Sequence, residues 1–116
     1  MGPIRSREPD FDDEPPAPEA LLDLAFSGEV VFWRGPSPWY FVQVPDDASA
    51  AVRGVAAVAS YGWGCIPVRA RIAGRAFVTS LFPKDGRYLL PIKAAVRTSL
   101  GIAEGDVVPV RMVIGT

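Results

Sequence analysis

The sequence predicts a mainly β fold: a small β-barrel of the split or swapped-hairpin type with two short helices. Three stretches have the period of a β-strand, three more are extended stretches bounded by turns, and Gly- or Pro-containing turns separate them. One further stretch carries helical spacing, and another is a short helix before Gly101. Short strands joined by hairpin turns are typical of a closed antiparallel or mixed sheet with helices at its ends. The expected order is β-β-α-β-β-β-α-β.

The first two predicted strands flank a turn that contains two prolines and a glycine. Residues 22–33 form the first strand, and the turn is "RGPSP" at 34–38. Residues 39–44 form the second strand, which Pro45 ends. One face of the first strand carries Leu24, Phe26, Gly28, Val30 and Phe32, and the other carries Ala25, Ser27, Glu29, Val31 and Trp33.

A change of period after Pro45 predicts a helix. Val52, Val55, Ala56 and Ala59 follow the spacing of one apolar stripe. Asp46 or Asp47 is expected to cap its start, and Gly62 suits its end. Gly54 lies inside the helix at a cost of roughly 1 kcal/mol against alanine, which suggests close packing there.

The rest of the chain returns to strands and turns. Ala73-Gly74 and Asp85-Gly86 are hairpin signals, Gly101 stops a short helix, and Pro109 belongs at an edge or bulge because it cannot donate to a ladder. The predicted strands are 66–72, 75–82, 88–92 and 107–114, and the predicted short helix is 93–100.

Composition divides the chain into a tail and one domain. Residues 1–19 hold six acidic residues, two arginines and five prolines, which gives a charge of −4 and predicts a mobile segment. Residues 20–116 form the predicted single barrel domain, with ten Lys/Arg and seven Asp/Glu for a charge of +3. The opposite charges suggest that the tail folds back on a basic face and competes there with anionic ligands.

Residue types that are scarce or missing narrow the chemistry. The chain has no histidine and a single cysteine, Cys65, so Ser-His and Cys-His nucleophile pairs and an internal disulfide are excluded, and a zinc site is not expected. No motif for a nucleotide, metal, flavin or haem is present, and no cofactor is expected. The sequence shows neither a membrane span nor a signal peptide, so the cytoplasm is the expected location.

Five ordered blocks resemble a known family. They are "FSGEVVFW" at 26–33, "GPSPWYFVQVP" at 35–45, "GWGCIPVRARIAG" at 62–74, "TSLFP" at 79–83 and "YLLPIKAAVRTSLGIAEGDVV" at 88–108. Together they closely resemble a small bacterial family catalogued as domain of unknown function nineteen-oh-five. The resemblance spans residues 24–114 and implies a small helix-capped barrel from bacteria. It implies no established activity.

A more local resemblance concerns residues 88–106. This strand, short helix and "GD" turn is similar to an element of the AbrB-type swapped-hairpin transcription factors, in which basic residues near the element meet DNA. Arg87, Lys93 and Arg97 occupy comparable neighbourhoods. The full basic set is Arg69, Arg71, Arg75, Arg87, Lys93 and Arg97. DNA binding draws its affinity from phosphate neutralisation, and six dispersed charges are few for it.

Aromatic residues near the ends of predicted elements are candidates for a ligand pocket. Tryptophan and tyrosine beside a few polar groups are typical of small-molecule sites, although such residues also serve as barrel plugs. The candidate ligand-binding residues are Trp33, Trp39, Tyr40, Tyr61, Trp63, Cys65, Lys93 and Arg97.

Glu29 is the most informative acidic residue, because it lies in the middle of a strand. If its face points into the barrel, it needs a cationic partner, and Arg69 and Arg71 share one face of another strand. Glu29 is then the candidate base, with Arg69, Arg71 or Tyr88 stabilising developing negative charge. The alternative is a solvent-facing Glu29.

These observations predict a small-molecule-binding barrel or a cofactor-free catalytic one of the isomerase, cyclase or lyase type. The first alternative is an AbrB-like DNA-binding regulator, and the second is a protein-interaction module. The preferred partner is a small molecule, with nucleic acid disfavoured and no membrane. A homodimer is also expected, because small barrels of this sort leave strand edges that can pair.

Overall fold

The computed structural model describes residues 20–36, 39–60 and 64–115, and these form a closed six-stranded barrel with two helices. The predicted tail at 1–19 lies outside the described residues. The predicted element order is confirmed. The elements are β1 (Leu22–Trp33), β2 (Trp39–Val44), α1 (Asp46–Ala59), β3 (Ile66–Ile72), β4 (Arg75–Lys84), β5 (Arg87–Pro91), α2 (Ala94–Leu100) and β6 (Val107–Ile114).

The barrel closes in the order β1-β2-β5-β4-β3-β6, and all the pairs are antiparallel. The twelve-residue β1 allows this closure by serving two neighbours. Its first part pairs with β6 as far as Glu29↔Val107, and its last part pairs with β2 from Val30↔Val42 onward. Every strand therefore has two neighbours in the closed order, although the first part of β1 pairs with β6 alone. The homodimer stays a prediction.

Two glycine-containing hairpin turns join β3 to β4 and β4 to β5, as the sequence predicts. Ala73 and Gly74 have φ angles of 48° and 81°, and Asp85 and Gly86 have 54° and 82°. Two consecutive positive φ angles define the turn that matches the twist of paired strands. The structure extends β4 to Lys84 and begins β5 at Arg87, so the second hairpin is tighter than predicted.

Aliphatic side chains fill the barrel interior. The inward faces of β3 and β6 alternate strictly with exposed or half-buried positions, as period two requires. The largest fully buried side chains are Ile66, Ile72, Leu81, Leu90, Ile92, Met112, Ile114, Val30, Val42, Val44, Val52 and Val110. The core cluster contains no Asp, Glu, Lys or Arg side chain among the described residues.

Helix α1 packs on one end of the barrel through the predicted stripe, but its ends and its glycine differ from expectation. Its N-cap residue is Pro45, which offers no side-chain hydrogen bond, and Asp46 and Asp47 lie inside the first turn. The Asp47 carboxylate accepts the Ala48 N–H there at 2.7 Å, so it satisfies one free N–H of the helix start from inside the helix. The helix ends at Ala59, and Gly62 lies outside the described residues. Gly54 faces solvent with nothing within 4 Å of where a Cβ would stand, so close packing does not explain it.

Ser49 anchors α1 to the sheet and carries the first stability prediction. Its hydroxyl donates to the Val44 carbonyl at 3.0 Å and accepts the Tyr88 N–H at 3.3 Å, in full burial. Ser49→Ala removes both bonds and leaves two buried backbone groups unsatisfied, so we expect a loss of about 2 kcal/mol in unfolding free energy. Urea denaturation measures it. Ser99→Ala, at an exposed hydroxyl, is the control, and an equal loss in both would contradict the anchoring role.

No helix in the part of the chain that the structure describes has the length and apolar character to cross a membrane.

Candidate functional site

An aromatic pocket lies on the outer wall of the barrel, over β1, β2, β5 and β4. Its volume is about 480 Å³. We call it the aromatic pocket, and the residues that line it are Trp33, Gly35, Pro36, Trp39, Phe41, Thr79, Ser80, Phe82 and Pro91. It arises because β2 is apolar on both faces. Val42 and Val44 point into the core, whereas Trp39 and Phe41 point outward.

Phe41 forms the floor of the pocket. It lies on the outward face of β2, yet only 3% of it is exposed, and it does not belong to the core cluster. The Phe82 ring meets it edge to face with centroids 5.2 Å apart, and the Trp33 ring lies at 6.3 Å. Both separations suit favourable aromatic contacts. An outward-facing ring is thus buried by other aromatic rings instead of by the core.

Trp33 and Trp39 form an exposed wall of the pocket. They face each other at the end of the β1–β2 ladder, and Trp33 is 55% exposed and Trp39 40% exposed. Gly35 fixes the position of the Trp33 indole, because a Cβ there would stand 2.7 Å from the indole nitrogen. Indole rings that are open to solvent give a ligand apolar area at a small conformational cost.

The far side of the pocket supplies polar atoms. Thr79 and Ser80 on β4 are its two hydroxyl-bearing lining residues, and Pro91 on β5 lies between them and Phe41, with which it pairs. None of the described lining residues has an ionisable side chain. The pocket is therefore suited to hold an uncharged, largely apolar group with one or two hydrogen-bonding atoms.

The predicted aromatic set is only partly assembled. Trp33 and Trp39 line the aromatic pocket, and their role in ligand binding stays a prediction. Tyr40 points to the other face of β2, where its ring contacts Phe32 at 4.6 Å and the Arg97 guanidinium at 4.2 Å. Tyr61 and Trp63 lie outside the described residues.

The predicted interior site around Glu29 does not form. The inward face of β1 belongs to its apolar residues, so Glu29 is exposed on the outer surface, as is Arg69, and Arg71 is half-buried. Glu29 lies opposite Val107 and Arg69 opposite Val113, which places them about 20 Å apart along β6. Tyr88 points inward into the core. The expectation of a carboxylate and guanidinium sharing the barrel interior is wrong.

The remaining ligand candidates also lie apart. Lys93 is an exposed residue at the N-cap of α2, and Cys65 is a half-buried free thiol before β3. Arg97 packs over Tyr40, which makes it part of the barrel end. None of the three lines the aromatic pocket.

The basic residues spread over several elements of the barrel. Arg87 binds Asp46 at 2.7 Å, Arg71 donates to the Gly74 carbonyl at 3.3 Å, and Arg97 stacks on Tyr40. Arg69 and Arg71 lie on β3, Arg75 on β4, Arg87 on β5, and Lys93 and Arg97 at α2. Nucleic-acid binding through this set stays a prediction.

The pocket residues that the sequence reasoning missed are Phe41, Phe82, Pro91, Thr79, Ser80, Gly35 and Pro36. The signal for the first was present, since β2 alternates between two apolar faces and only one can point into a single core. Phe82 and Pro91 come close to Phe41 only because β5 pairs with both β2 and β4. That pairing could not be read from any one segment.

Within the described residues, no cluster of three or more Cys, Asp or Glu side chains could hold a metal ion. The search for relatives finds no match among curated proteins. A family model does match residues 26–112, about three quarters of the chain, under the description "Domain of unknown function (DUF1905)". That region runs from β1 into β6 and contains every residue of the aromatic pocket. The chain therefore belongs to the DUF1905 family.

Proposed function

We propose that this protein binds a small, uncharged and largely apolar molecule, such as one with an aromatic ring, in the aromatic pocket. The observation that carries the proposal is Phe41, an outward-facing ring that is 3% exposed at the floor of a pocket of about 480 Å³. That volume falls within the range of roughly 300–1,000 Å³ that is usual for small-molecule sites.

The lining favours binding over catalysis. Proton transfer needs a positioned acid or base, and the described lining residues offer only indole, phenyl, proline, hydroxyl and backbone groups. Glu29 and Arg69, two of the predicted catalytic residues, lie on other parts of the outer surface. Isomerase, cyclase or lyase chemistry would need an acid or base carried by the ligand itself.

A bacterial cytoplasm remains the expected setting of this binding activity. Cys65 is a free thiol and the sequence offers it no second cysteine, which suits a reducing compartment.

The proposal predicts saturable binding of a neutral aromatic probe. N-phenyl-naphthylamine gains fluorescence in apolar sites, and we expect the full chain to bind it at one site. Trp33→Ala and Trp39→Ala should each weaken binding about tenfold, which corresponds to about 1.4 kcal/mol. Gly35→Ala should also weaken binding, because its new methyl group forces the Trp33 indole to turn.

Val107→Ala is the matched control for these variants. Val107 is an exposed apolar residue outside the aromatic pocket, so its loss should leave probe affinity unchanged. Circular dichroism on every variant separates lost binding from lost fold. Equal affinity in the control and in the tryptophan variants would refute the assignment, as would the absence of saturable binding to the full chain.

A further inference from the structure

A second pocket continues the outer face of the barrel that carries the aromatic pocket. We call it the polar pocket, and its volume is about 360 Å³. Each of β1, β2, β4 and β5 contributes one residue to the aromatic pocket and the next outward residue, two positions along the strand, to the polar pocket. The pairs are Trp33 with Val31, Phe41 with Gln43, Phe82 with Lys84 and Pro91 with Leu89. Because two residues of a strand span about 7 Å, the two pockets are neighbours on one surface.

Gln43 is the first polar side chain that a molecule in the aromatic pocket meets when it extends along β2. It is the one residue of β2 whose side chain is neither aromatic nor aliphatic, and it is half-buried. It pairs with Leu89, as Phe41 pairs with Pro91. Its side chain makes no hydrogen bond to any residue of 20–36, 39–60 and 64–115. The carboxamide therefore keeps both its donor and its acceptor atoms for a ligand.

The charged side chains that line the polar pocket are already paired. Lys84 Nζ lies 3.8 Å from a carboxylate oxygen of Asp85, and Arg87 Nε lies 2.7 Å from a carboxylate oxygen of Asp46. Each pair joins one positive to one negative charge, so these residues leave no excess charge to attract an ion. A neutral hydrogen-bonding group therefore suits the polar pocket better than a carboxylate or an ammonium group does.

We propose that the ligand is an aromatic carboxamide, whose ring lies in the aromatic pocket and whose amide group binds Gln43 in the polar pocket. This inference rests on the proposed function, because it takes the ring to be bound in the aromatic pocket. The amide N–H of the ligand donates to Oε1 of Gln43, and the amide carbonyl accepts from Nε2, so the two amide groups satisfy each other. The step of about 7 Å from Phe41 to Gln43 corresponds to a spacer of about three carbon atoms between the ring and the amide.

Displacement of N-phenyl-naphthylamine from the full chain tests this assignment with a matched pair of compounds. 4-Phenylbutanamide carries the ring, the spacer and the amide, whereas butylbenzene carries the ring and the alkyl chain without the amide. Gln43→Met keeps a side chain of similar length and removes its carboxamide. We expect this variant to bind 4-phenylbutanamide about tenfold more weakly, because the ligand amide loses its hydrogen-bonding partner. Its affinity for butylbenzene should stay unchanged.

Lys84→Met is the matched control, since it removes a polar side chain from the same pocket and leaves Gln43 in place. It should change neither affinity. The proposal is overturned if 4-phenylbutanamide fails to displace the probe, if Gln43→Met binds it as tightly as the unmodified chain does, or if Lys84→Met or butylbenzene shows an equal loss. In each of these cases N-phenyl-naphthylamine still binds, and the proposed function stands. A full chain that binds none of the three compounds would refute the proposed function together with this inference.

Discussion

Replacing Gly28 with alanine is expected to destabilise the barrel by about 3 kcal/mol. Gly28 is buried at the point where β1 leaves β6 and begins to pair with β2. A Cβ at this position would collide with the backbone carbonyl of Gln43 and would stand 2.7 Å from Cγ1 of Val42. Backbone cannot rotate away as a side chain can, so the strand would have to shift, and overpacking of this kind costs about 1–3 kcal/mol or more.

Gly54→Ala is the matched control for this substitution, and its sign should be opposite. Gly54 lies inside α1 with nothing within 4 Å of where the new methyl group would stand, so alanine should stabilise the protein by about 1 kcal/mol through helix propensity. Chemical denaturation of both variants measures the two changes on one scale. A Gly28→Ala variant as stable as the unmodified chain would show that β1 does not approach β2 this closely.

The strands could be predicted because each depends on local sequence. β1, β2, β3 and β6 have the predicted bounds, and the residues predicted to share a face of β1 do share it. Period two tells which residues share a face, but it does not tell which face of β1 the closed sheet buries. The differences at the junctions of β4, β5 and α2 amount to one or two residues, which hairpin and cap geometry decide.

The candidate site depended on long-range pairing and could be predicted only in part. Trp33 and Trp39 were identified because they flank one turn, but the floor of the pocket needs Phe41 and Phe82 from strands separated by β5. The prediction that Glu29 lies inside the barrel failed for a different reason. Alternation gave two faces for β1, and only the closed sheet shows that the Glu29 face is the outer one.

Under the proposed function, the ligand lies against the outer face of β2 and not in the barrel interior. A six-stranded barrel has an interior that side chains fill, as they do here. Space for a ligand must then come from outside, where aromatic side chains on neighbouring strands rise above the sheet. Under the proposed function, folding stability and binding depend on opposite faces of the same strands. Substitutions of the exposed residues Trp33 and Trp39 should accordingly change binding with little change in stability.

Arg111→Met is expected to cost about 3 kcal/mol in unfolding free energy. Arg111 on β6 binds Asp23 on β1 through two hydrogen bonds, Nε to Oδ1 at 2.9 Å and Nη2 to Oδ2 at 2.7 Å. The two side chains are only 12% and 18% exposed. Removing the guanidinium leaves a largely buried carboxylate without its main partner, and such losses typically amount to about 3–5 kcal/mol. Arg71 is paired with Arg111 across β3 and β6. Because this second positive charge remains after the substitution, the expected loss in unfolding free energy lies at the lower end of that range.

The double variant Asp23→Leu, Arg111→Met separates the pair's attraction from the cost of burying charge. Two apolar side chains can occupy this site without the cost of removing charges from water. The unfolding free energy of the double variant should therefore lie within about 1 kcal/mol of that of the unmodified chain. Denaturant unfolding of both single variants and the double variant completes the cycle. A double variant no more stable than Arg111→Met would mean that the charges themselves hold β1 against β6.

The pair of Arg87 and Asp46 supplies the control, because its contact is equally short. Its Nε–Oδ1 distance is 2.7 Å, but its side chains are 48% and 79% exposed. Water screens such a pair, so Arg87→Met should cost less than about 1 kcal/mol. If burial decides the strength, the two arginine variants differ severalfold in unfolding free energy despite equal contact distances. If distance decides it, they lose the same amount, and Asp23 and Arg111 contribute no more to barrel closure than a surface contact does.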